Sequence, residues 1–189
     1  MWEIIKSDLK RYNRDNDRLL HSMIKAAYTH PSFIGLVWYR IGHALWEKRK
    51  NPICFILLII NRFLYPLIRI HSGLELSPRT HIGPGLYVAH FGPTVIHPNT
   101  VAGSNLTLLQ GVTIGEHNNG VPIIGNNVAI ATGAKVIGGI TIGNNVTIGA
   151  GAVVVKDVPD DYTVVGIPAK PVWSKEEIQA LMIEIPEKN

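Results

Sequence analysis

From Leu76 to Val154 an apolar residue returns at nearly every sixth position. The series reads Leu76, Ile82, Val88, Thr94, Thr100, Leu106, Val112, Asn118, Ile124, Ile130, Val136, Ile142, Ile148 and Val154, and eleven of its fourteen members are aliphatic. Four positions after many of them comes a second apolar or small residue, at Leu86, Val128, Ala134, Ile140, Val146 and Ala152. A helix repeats about every 3.6 residues and a strand about every two, so neither makes this spacing. A period of six fits a short strand followed by a tight turn. Three such faces close one coil of a triangular prism, with the aliphatic side chains on its axis. Glycine follows at Gly83, Gly125, Gly143 and Gly149, and Asn pairs stand at Asn126-Asn127 and Asn144-Asn145. Corners of this kind need positive φ, which Gly and Asn tolerate best. The pattern predicts a left-handed parallel β-helix over residues 71–173.

The departures from the pattern are also informative. Asn118 falls in "GEHNNGVP", Gly115 to Pro122, which reads as a loop protruding from the prism. Thr94 and Thr100 mark a second disturbed zone flanked by His90 and His97, and the two disturbances are expected on the same side. Residues 1–70 read as helices, at "WEIIKSDLKRY", "SMIKAAY", "FIGLVWYRIGHALWEKR" and an apolar run from Ile53 to Ile68. Asn61, Arg62 and Pro66 interrupt that run, which argues against a membrane span. It reads as a helix packed on the main domain or a neighbouring subunit, with shallow attachment to an anionic bilayer as the other reading. At the far end "SKEE", Ser174 to Glu177, is a capping box that predicts a short helix with Ile178, Leu181 and Met182 on one face. Residues 174–189 are therefore taken as a C-terminal helix and tail.

Composition narrows the class. At 189 residues, 46% hydrophobic and 17% charged, the chain suits one domain with an appendage and not a disordered or nucleic-acid-binding tail. The net charge of +4 divides unevenly: residues 1–70 hold 12 Lys+Arg against 5 Asp+Glu, and residues 71–189 hold 6 against 9. Different surfaces imply different partners. The single Cys54 has no intrachain partner, as in a reducing compartment. The charged N-terminus shows no signal-peptide pattern. The expected location is cytoplasmic, at the inner face of the membrane if residues 1–70 touch it.

Four stretches carry a family resemblance: "GLELSP" from Gly73, "GPGLYVAH" ending at His90, "IGAGAVVVKDVP" from Ile148 and "GIPAKPV" from Gly166. They resemble the hexapeptide-repeat acyltransferases, and within them the serine acetyltransferase-like group, which includes acetyltransferases of capsule and exopolysaccharide sugars. The resemblance implies a homotrimer with active sites between subunits and acetyl-CoA, as co-substrate, in the groove between neighbouring prisms. It implies His90 as general base and Glu75, fifteen positions earlier, as the acid that orients it. Imidazole suits this task because its ordinary pKa of about 6.5 lies near neutrality. Toward the coenzyme the resemblance points to Thr132, Gly133 and Ala150, and to Lys156 and Lys170 for phosphate contacts.

Two positions differ from the serine enzymes. Those have aspartate directly before the histidine, where this chain has Ala89, and an arginine in the protruding loop, where this chain has none. His117, Asn118 and Asn119 of that loop are expected to bind the acceptor through hydrogen bonds. The residues therefore favour an acetyl-CoA-dependent O-acetyltransferase acting on a saccharide hydroxyl. Serine O-acetyltransferase is the alternative, and a non-catalytic β-helix binding a glycan or a partner is the alternative of another class. His97 reads as a turn residue and His71 and His81 as structural. No metal is expected, because no His, Cys and Asp cluster has ligand spacing along the sequence.

Overall fold

The computed structural model describes residues 1–12 and 19–174. Four helices come first: α1 (Trp2–Tyr12), α2 (Leu19–Thr29), α3 (Pro31–Glu47) and α4 (Pro52–Ser72). Asn51 caps α4, its side chain accepting from the Ile53 and Cys54 N–H groups at 2.9 and 3.3 Å. Gly73 ends it in the left-handed region, with φ 67. A Cβ at Gly73 would lie 2.8 Å from the Gly92 carbonyl oxygen, so this corner accepts no side chain.

Beyond Gly73 the chain coils. The first turn of the prism is β1 (Leu74–Leu76), β2 (His81–Ile82) and β3 (Tyr87–Val88), and the second is β4 (Thr94–Ile96), β5 (Val101–Ala102) and β6 (Thr107–Leu108). The third is β7 (Thr113–Gly115), β8 (Ile123–Ile124) and β9 (Ala129–Ile130), and the fourth is β10 (Lys135–Ile137), β11 (Thr141–Ile142) and β12 (Thr147–Ile148). The fifth runs from β13 (Val153–Val154) through a bridge at Val158 to β14 (Tyr162–Val165), on which β15 (Lys170–Ser174) folds back antiparallel. Each strand pairs in parallel with the strand three places on, giving the three faces β1-β4-β7-β10-β13, β2-β5-β8-β11 and β3-β6-β9-β12-β14. This is the parallel β-helix that the period of six predicts. The helix expected beyond Ser174 lies outside the described residues.

The axis is filled as the pattern requires. Leu76, Ile82, Val88, Leu106, Val112, Ile124, Ile130, Val136, Ile142, Ile148 and Val154 are all buried, as are the second-column residues Leu86, Val128, Ala134 and Val146. Thr94 and Thr100 are buried too. They keep the register, and the disturbed zone expected around them does not exist. One corner is held by stacked amides. Asn105 donates to Asn127, Asn127 to Asn145 and Asn145 to Asp161 at 2.9–3.0 Å, all four with positive φ. A parallel ladder runs from Asn126 through Asn144 to Asp160.

Helices α1 and α3 close the open end of the prism, with Leu36 and Tyr39 joining its core. Two buried charges make the junction. Arg40 binds Asp8 through Nε at 2.8 Å and Nη2 at 3.1 Å, and its guanidinium also donates to the Ile82 and Gly83 carbonyls. Asp8 Oδ1 accepts from the Gly85 and Leu86 N–H groups, each at 2.8 Å. Burial pushes the Asp8 carboxyl up, while Arg40 and the two backbone donors pull it down. Helix α4 packs on α3 along a polar, small-residue seam. Gly35 lies against Ser72 and Gly42 against Asn61, and these two polar residues are the buried residues of α4. Its large apolar side chains point outward, so α4 packs on its own domain as expected, but through its polar seam, and its apolar face is left uncovered within this chain.

Candidate active site

His90 stands at the corner between β3 and β4, exposed, with φ 64. Every other residue with positive φ among the described residues is Asn, Asp or Gly. An imidazole held in the left-handed region is an uncommon arrangement and marks a functional corner. The segment before it is firmly tied. The Val88 N–H donates to the Tyr12 hydroxyl at 2.9 Å, and the Val88 carbonyl accepts from Tyr12 at 3.2 Å and Ser32 at 2.6 Å. Burial pushes the Tyr12 phenol up, so it stays a neutral donor. His30, which caps the start of α3, stacks edge-on against Tyr12. Its pKa is held below the ordinary value, first by burial and then by the charge of His90 nearby. None of Tyr12, His30 and Ser32 is marked by the repeat, and the hydrogen bonds linking Tyr12 and Ser32 to Val88 span 56 to 76 residues.

Strand register places the expected coenzyme residues. Val88 pairs with Leu108, Leu108 with Ile130 and Ile130 with Ile148. Two residues further on, the same corner carries His90, Gln110, Thr132 and Ala150. Neighbouring strands lie about 4.8 Å apart, so Thr132 stands about 10 Å and Ala150 about 14 Å along the prism from His90. Gly133 has φ 70, and a Cβ built there would meet nothing within 4 Å. The corner is thus exposed at His90 and Ala150, with open space beside Gly133. The Gln110 side-chain oxygen, one coil above His90, is buried without a hydrogen-bond partner. Lys156 and Lys170 are exposed near the far end of the prism, Lys170 on β15 opposite Val165. Lys170 lies on the His90 side of the prism, where the phosphates of an extended thioester coenzyme could reach it. Lys156 follows β13 and stands at the other edge of that face, the edge that follows β7 and β10, so the structure does not bring it to the His90 corner.

Glu75 lies on β1 with its side chain outward, in a cleft of ≈ 270 Å³ shared with Arg69, Phe91 and Pro93. The cleft reaches the residue after His90. The carboxylate, however, bonds Arg69 at 3.1 Å, on a half-exposed pair. That bond uses Oε2, so the other carboxylate oxygen is the one an orienting role toward His90 would use.

His117, Asn118 and Asn119 protrude after β7 as expected. The His117 and Gly120 backbones bond each other both ways at 3.0 Å, and Asn118 and Asn119 have φ 50 and 60, a two-residue hairpin turn with both central residues left-handed. Below it His97 Nε2 reaches Glu116 at 3.1 Å while its Nδ1 accepts from the Asn99 N–H, which fixes the tautomer. The loop does not share a side with His90. It leaves the opposite edge of the β1-β4-β7 face, about 13 Å of strand away. The expectation that both face the same side is therefore wrong within one copy of the chain.

One metal-type cluster also forms. His43, Glu47 and His81 bring ligand atoms within 4.8 Å of one another, and His43 Nδ1 lies 2.9 Å from the Pro78 carbonyl. These residues could hold a divalent cation, on a different face of the prism from His90. Helix and strand supply them from positions 38 apart, a distance that sequence spacing does not reveal.

Comparison with known proteins agrees with this geometry. Residues 122–156 match the model of the bacterial transferase hexapeptide family, six repeats. The chain is 37% identical over 162 residues to a serine acetyltransferase of Bacillus pumilus, covering 84% of this chain and 71% of that protein. The chain belongs to the serine acetyltransferase family. It is likewise 36% identical over 163 residues to a serine acetyltransferase of Synechococcus elongatus, covering 84% of this chain but 64% of that longer protein. Among solved structures, Neisseria gonorrhoeae serine acetyltransferase in complex with serine superposes with a TM-score of 0.74 at 34% identity, over 91% of this chain and 69% of that one. The left-handed coil of the hexapeptide transferases is thus the fold of this family member.

Proposed function

We propose that this chain is an acetyl-CoA-dependent O-acetyltransferase with His90 as general base and L-serine as acceptor. The observation that carries the reading is the corner histidine held at φ 64, with Thr132, Gly133 and Ala150 stacked above it on the same corner of the prism. His90 takes the proton of the acceptor hydroxyl as its oxygen attacks the thioester carbonyl carbon. The carbon–sulfur bond then breaks and the imidazolium returns the proton to the departing thiolate of CoA. A backbone N–H beside the corner can hold the developing oxyanion. No acyl-enzyme is required. Serine is supported by the relatives' names and by the serine complex of the Neisseria protein.

A neutral saccharide hydroxyl is the second reading, and two residues favour it. Ala89 is buried and carries no charge for an ammonium, and the loop from Gly115 to Pro122 has no Arg or Lys for a carboxylate. The loop and His90 sit at opposite edges of one face, so a site using both takes the loop from a second copy, which supports a homotrimer.

The test is release of free CoA from acetyl-CoA with L-serine or with capsule-type sugars. Acceptor-dependent release that disappears in His90→Ala supports the proposal, and the better acceptor decides between the readings. Release without any acceptor dependence would sink it.

A further inference from the structure

We propose that the outward face of α4 is a membrane-docking surface that seats the protein in the plane of an anionic bilayer. The helix is built inside out. Its buried residues are Asn61 and Ser72, while Phe63, Leu67 and Ile70 are 82%, 66% and 73% exposed. Ile53, Phe55, Ile56, Leu57, Ile59 and Ile60 are exposed as well. At about 100° per residue, Ile56, Ile59, Ile60, Phe63, Leu67 and Ile70 share an arc of about 100°, an unbroken apolar crest. Arg62 and Arg69 lie on one flank, about 60–80° beyond its edge, between crest and seam. Guanidinium groups there would sit at headgroup level when the crest sinks into the acyl boundary. The exposed Lys48, Arg49 and Lys50 stand just before the N-terminus of α4, and Arg49 lies over the Trp46 ring at 4.3 Å.

Charge identifies the occupant. From residue 48 to residue 74 there are five Lys+Arg and no Asp or Glu. Arg69 is already paired with Glu75 at 3.1 Å, but a contact between α4 helices of two copies would set Lys48, Arg49, Lys50 and Arg62 against one another, whereas an anionic lipid surface neutralises these four. The helix is long and apolar enough to cross a bilayer, about 31 Å at full length. Yet its polar seam is committed to the rest of the chain. Ser72 and Asn61 face α3, and the Tyr65 hydroxyl accepts from the Leu76 N–H at 3.0 Å. A spanning helix would expose these groups to hydrocarbon, so attachment lies in the plane. This inference is independent of acetyl transfer.

The experiment is co-sedimentation of the full chain with vesicles of phosphatidylcholine alone or with about a third phosphatidylglycerol. The wild type should pellet with the anionic vesicles and be released by about 0.5 M salt. Phe63→Glu/Leu67→Glu alters only exposed positions, so it should keep the wild-type melting temperature while losing at least about tenfold in vesicle affinity. Replacing Lys48, Arg49 and Lys50 by Gln should abolish the preference for anionic over neutral vesicles. A wild type that stays in the supernatant with both vesicle types overturns the proposal. So does equal pelleting of the wild type and Phe63→Glu/Leu67→Glu, or equal binding to neutral and anionic vesicles. If that variant instead lowers the mass seen by light scattering without vesicles, the crest is a contact between copies and the membrane reading falls.

Discussion

His90 shows what a repeat makes legible at single residues. Its corner could be located by counting sixes, because the turn after Val88 must fall there. Its role came from the resemblance and its strain from the structure. Replacing it with Ala should lower acceptor-dependent CoA release by about 10²–10⁴-fold, with acetyl-CoA binding nearly unchanged. A variant keeping more than roughly a tenth of the activity would make His90 a packing residue. Gly133 gives a complementary prediction. Its φ of 70 and the open space around it mean that a Val there would be strained and would fill that space above His90. Gly133→Val should raise the KM for acetyl-CoA more than that for the acceptor, and steady-state kinetics with each substrate varied would check it. Equal effects on both would place the coenzyme elsewhere. The environment of His90 was not legible. His30, Tyr12 and Ser32 come from helices with no repeat, and nothing in their spacing announces that they converge on Val88.

The strands were easier to read than the helices, for a physical reason. Each prism position has one geometric demand, an inward aliphatic or a left-handed corner, and the sequence meets it at every coil. Thr94 and Thr100 were misjudged because a hydroxyl was taken as a break. Threonine is nearly isosteric with valine, and Thr94 can bond the Leu109 carbonyl from inside the prism. The helices answer to a junction instead. Arg40→Met would leave the Asp8 carboxylate buried without its partner and should cost about 3–5 kcal/mol, measured by urea unfolding. Adding Asp8→Leu removes the second charge but also the acceptor of the Gly85 and Leu86 N–H groups, so the double variant should stay destabilised relative to the wild type. The amide ladder predicts a pH effect. Hydrogen bonds from the Asn144 side chain and backbone hold the Asp160 carboxyl below its ordinary value. A pKa lowered on folding means the ionised ladder end stabilises at neutral pH and loses that effect as pH falls through the folded value. Melting temperatures of wild type and Asp160→Ala should therefore differ at neutral pH, and the gap should narrow as pH falls below the ordinary aspartate range. A constant gap would show that the ladder does not depend on that charge.

At the scale of the whole molecule the geometry of one copy is incomplete. His90 and its corner occupy one edge of a prism face, and the hairpin of His117, Asn118 and Asn119 rises from the other, so one copy cannot close both around an acceptor. The proposed homotrimer would place each copy's loop beside its neighbour's His90 corner, a head-to-tail contact that a threefold closes. The resemblance implies sites between subunits, yet the repeat alone suggests one shared side for the loop and His90, because a linear pattern does not show which corner a loop leaves from. The arrangement predicts complementation between two defective variants. His90→Ala lacks the base, and His117→Ala/Asn118→Ala lacks the acceptor loop. Mixed after dissociation in equal amounts and reassembled, they should place an intact base beside an intact loop in about a quarter of the interfaces. Assayed well below acceptor saturation, the mixture should turn over faster than either parent by far more than their average allows. Activity equal to that average, in mixtures shown by differential tagging to contain hybrids, would mean that the loop and His90 act within one copy or that the loop does not touch the acceptor.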